Sequence, residues 1–241
     1  MTLATENLAV PGRLHGVSLS LRAGEVTAIL GPNGAGKSTL LSALAGLLPG
    51  PVSLDGNLLG QLPASVRAQT IGYLPQSGEV AWNLSVESLA ALGRLPHRTA
   101  PAQDAQAIDA ALAALDLDDL RHRPVAELSG GERARALLAR VLAGTPRWIL
   151  ADEPLASLDL AHQQALLHRF RALAQRGQGI VLVLHDLAQA MNHADRVIVL
   201  DRGFVVADGL PDDVLDPVLI EQVWGLQAQW LGEPGHRALA C

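Results

Sequence analysis

The stretch Gly31-Pro32-Asn33-Gly34-Ala35-Gly36-Lys37-Ser38-Thr39, set directly behind the apolar run Val26–Leu30, constrains this chain more than any other. Its spacing is G-x-x-x-x-G-K-S between an expected strand and an expected helix, the context in which a glycine-rich turn cradles phosphates. Glycines let the backbone curl until several N–H groups point inward, and the helix start adds positive potential there. Lys37 is then placed to reach the β- and γ-phosphates of a nucleotide, and the Ser38 hydroxyl to bind Mg2+.

Of the 18 cationic side chains 17 are arginine, and Lys37 is the only lysine. Arginine serves every generic site, while a compact ammonium is kept where a planar guanidinium cannot replace it. A single lysine at this position also rules out the Asn-Lys-x-Asp element with which GTPases read guanine. The net charge of −6 argues against a protein built to bind nucleic-acid backbone. Aromatic residues at 3% are too few for single-strand stacking platforms. Although 49% of residues are hydrophobic, unbroken runs such as Ile180–Leu184 fall far short of the roughly 20 residues that a spanning helix needs. The start, Met1 to Val10, carries Glu6 and no basic or apolar leader, so the expectation is a cytosolic chain. Cys241, the only cysteine, leaves no internal disulfide or cysteine metal cage.

Short apolar runs alternate with longer helical patterns, which is the signature of an α/β fold with a mostly parallel sheet. Strands are expected at Asn7–Val10, Val17–Leu21, Val26–Leu30, Val52–Leu54, Ile71–Leu74, Trp148–Ala151, Ile180–Leu184, Val197–Leu200 and Phe204–Val206. Val26–Leu30, Trp148–Ala151 and Ile180–Leu184 are apolar on both faces, as strands covered on each side are. Helices are expected over Gly36–Leu47, Val86–Arg94, Ala102–Leu115, Gly130–Ala143, Leu160–Arg176 and His185–Met191. From Gln76 to Thr145 no strand pattern breaks the helices, so this segment reads as a helical insertion. The first strands, separated by Pro11-Gly12 and Ala23-Gly24, read as a small antiparallel sheet.

Arg147 to Glu153 is an apolar strand ending in two carboxylates. Asp152 is placed to hold Mg2+, directly or through water, and Glu153 to take a proton from an attacking water. Alone this is an ordinary strand end, and the phosphate loop upstream gives it weight. Leu128-Ser129-Gly130-Gly131-Glu132 leads into the helix Gly130–Ala143. Ser129 and Gly130 offer a hydroxyl and N–H groups for a second anion site. Ser129 and Glu132 also have capping-box spacing, and both readings stand on the same residues.

In order, the phosphate loop, Gln76, Leu128–Glu132, Asp152-Glu153, Ser157-Leu158-Asp159 and His185 resemble the ATP-binding subunits of ATP-binding cassette (ABC) transporters, over about residues 1–210. The resemblance implies an α/β P-loop NTPase (RecA-like) core with a parallel sheet, a small antiparallel β-subdomain and a helical insertion. One ATPase domain would cover 1–241, with residues 1–75 and 146–241 in the β-subdomain and core and residues 76–145 in the helical part. It also implies ATP and Mg2+ as cofactors. In that family the serine and glycines that match Ser129, Gly130 and Gly131 contact the γ-phosphate held by a partner cassette, so a second copy of the chain is implied. Gln76 resembles the glutamine that senses Mg2+ and the water near the membrane subunit, although its place after a strand is also that of a plain loop residue. Asp159 resembles the dimer-interface aspartate, and before a helix it is also a cap. His185 resembles the histidine that contacts the γ-phosphate. The implied catalytic set is Lys37, Gln76, Glu153 and His185, and the implied metal set is Ser38, Gln76 and Asp152. Three positions depart from the pattern. No aromatic ring stands near Val10–His15, where the family stacks adenine. Ala134 replaces a frequent glutamine, and Ala151 replaces a larger apolar residue.

Leu89–Arg98 (LAALGRLPHR), Ser157–Gln163 (SLDLAHQ) and Val223-Trp224-Gly225 before a short expected hairpin are similar to ATPases of importers for iron–siderophore complexes, haem and cobalamin. That similarity implies transmembrane permease subunits as partners, an indirectly met substrate-binding protein, no nucleic acid, and a peripheral place on the cytoplasmic face of the inner membrane. The alternatives are an ABC ATPase serving an exporter or another importer, and an ABC-type regulatory protein outside transport. The last often carries two cassettes in one chain or a basic segment facing nucleic acid, and this sequence has neither. A P-loop kinase or strand-transfer ATPase leaves Leu128–Glu132 unexplained.

Overall fold

Runs that are apolar at every position become strands without a solvent face. In the computed structural model, which describes residues 1–76 and 84–241, the strands are β1 (Thr2–Val10), β2 (Leu14–Arg22), β3 (Val26–Leu30), β4 (Val52–Leu54), β5 (Asn57–Leu58), β6 (Ile71–Leu74), β7 (Trp148–Asp152), β8 (Gly179–Val183), β9 (Arg196–Asp201), β10 (Phe204–Gly209), β11 (Gln229–Leu231) and β12 (Ala238–Ala240). The α-helices are α1 (Lys37–Leu44), α2 (Ala64–Thr70), α3 (Val86–Ala91), α4 (Pro101–Ala113), α5 (Gly130–Ala143), α6 (Leu160–Gln175), α7 (Leu187–His193), α8 (Pro211–Val214) and α9 (Pro217–Trp224). Two compact units result, Met1–Leu62 with Leu167–Cys241, and Pro63–Leu166.

In the first unit β3 lies between β8 and β9 and runs parallel to both, with Ala28 opposite Leu182 on one side and Val197 on the other. All five positions of β3 and of β8 are buried. β10 returns antiparallel to β9 through Arg202 and Gly203. Both turn residues are left-handed, with φ of 46° and 83°, the geometry a two-residue hairpin requires. A second sheet orders β2-β1-β4-β5; it is antiparallel at β1–β2, as the turn Pro11-Gly12 implies, and also at β1–β4, while the strand after Ala23-Gly24 is β3 of the parallel set.

Helix α1 stops at Leu44, short of the expected Leu47, because Gly46 turns left-handed and the Leu47 N–H reaches back to the Ser42 carbonyl at 3.0 Å. That backward bond closes a helix end of the Schellman type. Helix α7 begins at Leu187 rather than His185, since the Asp186 carboxylate accepts from the Ala188 and Gln189 N–H groups and fixes the start. The C-terminal hairpin β11–β12 is tied to α7 by Asn192, whose amide donates to the Arg237 carbonyl and accepts from its N–H, each at 2.8 Å.

The second unit pairs β6 parallel to β7, from Ile71 opposite Trp148 to Leu74 opposite Ala151. Helices α3, α4 and α5 follow β6 in sequence, and among the described residues 84–145 the only β-contact is an isolated bridge between Ser85 and Pro124. The 3-10 turn Leu92–Arg94 sits on the last turn of α5. A Cβ on Gly93 would lie 2.0 Å from the Arg140 carbonyl oxygen. Arg94, only 9% exposed, donates to the Ala143 carbonyl at 3.0 Å, to Asp104 at 2.8 Å and to Thr99 at 3.1 Å. The Gly93 contact is backbone against backbone, so no side chain can yield. Gly93→Ala should therefore lower stability by about 1–3 kcal/mol, seen as a lower denaturant midpoint at unchanged slope.

Candidate functional site

The loop Gly31–Thr39 carries the chain from β3 into α1. Gly31 has φ 145°, and a Cβ there would lie 2.1 Å from the Leu200 carbonyl oxygen. Gly36, the N-cap of α1, has φ 102°, and a Cβ there would lie 2.8 Å from the Arg13 carbonyl oxygen. The cap has no side-chain hydrogen bond and the first turn has no acid, and the start of a helix carries the positive potential that favours an anion. Lys37 is 6% exposed. Its Nζ donates to the Gly31 carbonyl at 2.7 Å and to the Pro32 carbonyl at 3.0 Å, so the ammonium folds back across the loop it belongs to. Ser38 is exposed and Thr39 half-buried.

His185 belongs to the same unit. The Leu184 N–H donates to the Ile29 carbonyl at 3.2 Å, so the ends of the parallel neighbours β3 and β8 deliver Gly31 and His185 side by side. The cap at Asp186 keeps His185 outside α7, with its ring exposed.

The second unit holds Gln76, Ser129, Gly130, Gly131, Asp152, Glu153 and Asp159. Asp152 ends β7 and is 3% exposed. Glu153 turns the chain with φ 51°, an uncommon conformation for a side-chain-bearing residue and one that clusters at functional sites. Leu74 and Ala151 are paired across β6 and β7, so Gln76 and Glu153 follow at matching distances beyond adjacent parallel strand ends. Asp159 accepts from the backbone N–H of His162 at 2.9 Å and pairs with its ring Nδ1 at 2.8 Å. These bonds hold its carboxyl below the ordinary range, and they make the residue a cap.

Ser129 caps α5 reciprocally. Its Oγ accepts from the Glu132 N–H at 3.3 Å, and Glu132 accepts from the Ser129 N–H at 2.8 Å. Ser129 and Gly130 remain exposed. A Cβ on Gly131 would lie 3.2 Å from the Ser157 carbonyl oxygen, so the serine-glycine turn rests on Ser157–Leu158. Two features of the structure leave no signal in the sequence. One is buried Arg94. The other is Phe204, whose ring stacks on His15 with centroids 4.9 Å apart and planes 29° apart.

A family model described as ABC transporter matches residues 14–156. The hemin import ATP-binding protein HmuV of Rhodococcus jostii is 43% identical over 97% of this chain and 83% of its own length. The protein of the same name from Myxococcus xanthus is 45% identical over 93% of this chain and 90% of its own. That from Pseudomonas aeruginosa is 42% identical over 97% of both. Among solved structures, a metal-chelate-type ABC transporter in an inward-facing conformation aligns with TM-score 0.82 and 27% identity, covering 99% of this chain and 95% of that one. A bacterial ABC transporter cassette solved as a dimer aligns with TM-score 0.78 and 26% identity, covering 88% of this chain and 99% of that one.

Glu132 is held below its ordinary carboxyl range chiefly by the backbone bond from Ser129. A carboxyl depressed by folding contributes stability above its unfolded value and loses that contribution as pH falls through its folded value. Glu132→Ala should therefore melt below the native chain at neutral pH, with the gap closing in acid. A gap independent of pH in thermal scans would remove the charged half of the cap.

Proposed function

The chain belongs to the ABC transporter family as an ATP-hydrolysing, ATP-binding subunit, and from that premise we propose that it powers haem import. The reading is carried by its 42–45% identity, along more than nine-tenths of its length, to hemin import ATP-binding proteins of three bacteria.

In this reading the phosphates of ATP lie in the loop Gly31–Thr39, among Gly31, Pro32, Asn33, Gly34, Ala35 and Gly36. Lys37 offers its ammonium to the β- and γ-phosphates, and the loop and helix N–H groups stabilise charge that grows as the γ-phosphoryl transfers. Glu153 takes the proton of the attacking water, and His185, beside the loop, contacts the γ-phosphate. The hydroxyl of Ser38, the carboxylate of Asp152 and the amide oxygen of Gln76 are hard oxygen donors, the chemistry that suits Mg2+. When bound, that ion would supply positive charge to offset that of the phosphates. Ser129, Gly130 and Gly131 of a second copy close over the nucleotide, and Asp159 lines the same junction.

The partners in this proposal are a second cassette and transmembrane permease subunits, with a substrate-binding protein met only through them. The segment Gln76–Arg98 faces the permease, although its residues 77–83 lie outside the described ones. No helix among the described residues is long and apolar enough to cross a membrane, and the proposed location is peripheral, on the cytoplasmic face of the inner membrane.

Co-purification with the permease and uptake assays with haem, a ferric siderophore and cobalamin test the cargo. Haem should accumulate in an ATP-dependent way. Uptake of one of the others would replace the cargo, and uptake of none would remove the importer reading. Glu153→Gln should keep ATP bound while hydrolysis falls by about 10²- to 10⁴-fold, whereas rapid multiple turnover by that variant would exclude Glu153 as the base.

A further inference from the structure

Glu153 stands at the head of a segment with no regular structure, residues 153–159, which joins β7 to α6. Its left-handed backbone, φ 51°, is a conformation that persists where neighbouring structure holds it in place. Within the segment the Ala156 N–H donates to the Glu153 carbonyl at 3.3 Å, and the Leu158 N–H to the Leu155 carbonyl at 3.1 Å. Leu155 and Leu158 are buried and seat the segment in the core. Apolar burial has no direction, however, so it leaves open which way the carbonyls between them point.

That direction is set by one side chain. Gln163, in the first turn of α6 and half-buried, donates from its amide nitrogen to the Leu155 carbonyl at 3.1 Å and to the Leu158 carbonyl at 3.0 Å. Its own backbone N–H donates to the Asp159 carbonyl at 2.9 Å, so the amide reaches out from a helix that is already formed. A side-chain amide has two N–H groups and a carbonyl two lone pairs, which lets the Leu155 oxygen serve the Leu158 N–H and Gln163 together. Between Leu155 and Glu153 lies buried Pro154. Its ring fixes φ and leaves the link between the clamped carbonyl and Glu153 one torsion stiffer than any other residue would.

We propose that Gln163 is a positioning residue for ATP hydrolysis, acting through Glu153. By clamping the carbonyls of Leu155 and Leu158 it holds the turn that follows Glu153, and through stiff Pro154 it keeps the left-handed backbone from which the carboxylate projects. A general base works only within hydrogen-bond reach of the proton it takes, and a misplacement of about 1 Å can cost about a hundredfold in rate. The proposal rests on Glu153 being the base, and the test separates the two ideas.

Single-turnover hydrolysis by the full chain, read beside calorimetric titration with ATP, provides that test. Gln163→Met keeps the length and loses both donors. It should slow hydrolysis by about tenfold to a hundredfold and leave the Kd for ATP unchanged. Combined with Glu153→Gln it should cost almost nothing more, because a residue acting through Glu153 then has nothing left to position. Gln163→Glu, ionised at about pH 8 and unable to donate, should share the loss there. Relative to the native chain it should recover part of it toward about pH 5.5, where a protonated carboxyl donates again. Should Gln163→Met not fold, Gln163→Glu is carried through the same combination with Glu153→Gln. A native rate at about pH 8, an equal fold loss with and without Glu153, a weakened Kd for ATP, or a Gln163→Glu loss that does not shrink in acid would overturn the positioning role. If Glu153→Gln itself hydrolyses at the native rate, the base reading fails and the proposal with it; a slow Glu153→Gln beside a fast Gln163→Met overturns the positioning role alone.

Discussion

The first unit depends on one bare backbone contact, that of Gly31 against the carbonyl of Leu200. No other residue type fits, because a single carbon would lie 2.1 Å from that oxygen. The contact brings the phosphate loop against β9, which places the β9–β10 turn where Gly203 bonds Ala35 and His15. The loop is thereby clamped by main-chain groups from β3, from the hairpin and from the start of β2. Hydrogen-bond donors fixed before a ligand arrives need no reorganisation when charge develops on it. The fold thus supplies that preparation mainly through backbone, with Lys37 as the one charged side chain folded into the loop.

In the second unit α5 is secured differently at its two ends. Its start is closed by the Ser129–Glu132 exchange. Its last turn is held by Arg94, and by His97, whose ring nitrogen lies 3.0 Å from the Gly144 carbonyl. A cation at the carbonyl end and a carboxylate at the N–H end both complement the helix dipole. Both ends of α5 are thereby fixed within the unit, its start by its own cap and its last turn by the segment that holds Leu92–Arg94. Leu95, next to that turn, is 76% exposed.

What was legible in the sequence was local. The glycine-rich turn between β3 and α1, the fully buried strands β3, β7 and β8, and the capping box at Ser129 each declare themselves within a few neighbours, and the structure has each of these elements. Two residues read in two ways turned out to be caps, Ser129 and Asp159, and being a cap leaves an exposed oxygen available for other partners. Element ends were less legible, because the stop at Gly46 and the start at Asp186 depend on backbone angles and a single carboxylate rather than on periodicity. Helix α2 buries no residue and so carries no hydrophobic pattern to detect. The Phe204–His15 stack and the Arg94 cluster had no signal at all, since each is created by tertiary approach between segments that are ordinary when read alone.

The confinement of lysine to one position also shapes how the whole molecule behaves in alkali. In most proteins exposed lysines shed their protons near pH 10.4 and the positive surface fades. Here the remaining cationic side chains are guanidinium groups, which hold their protons far more firmly than an ammonium does. Apart from Lys37, the amino terminus and the histidines, the chain therefore keeps most of its positive charge where lysines are neutralised. Its solubility and its electrostatic contacts with a partner should change little there, where a lysine-rich relative would turn strongly anionic.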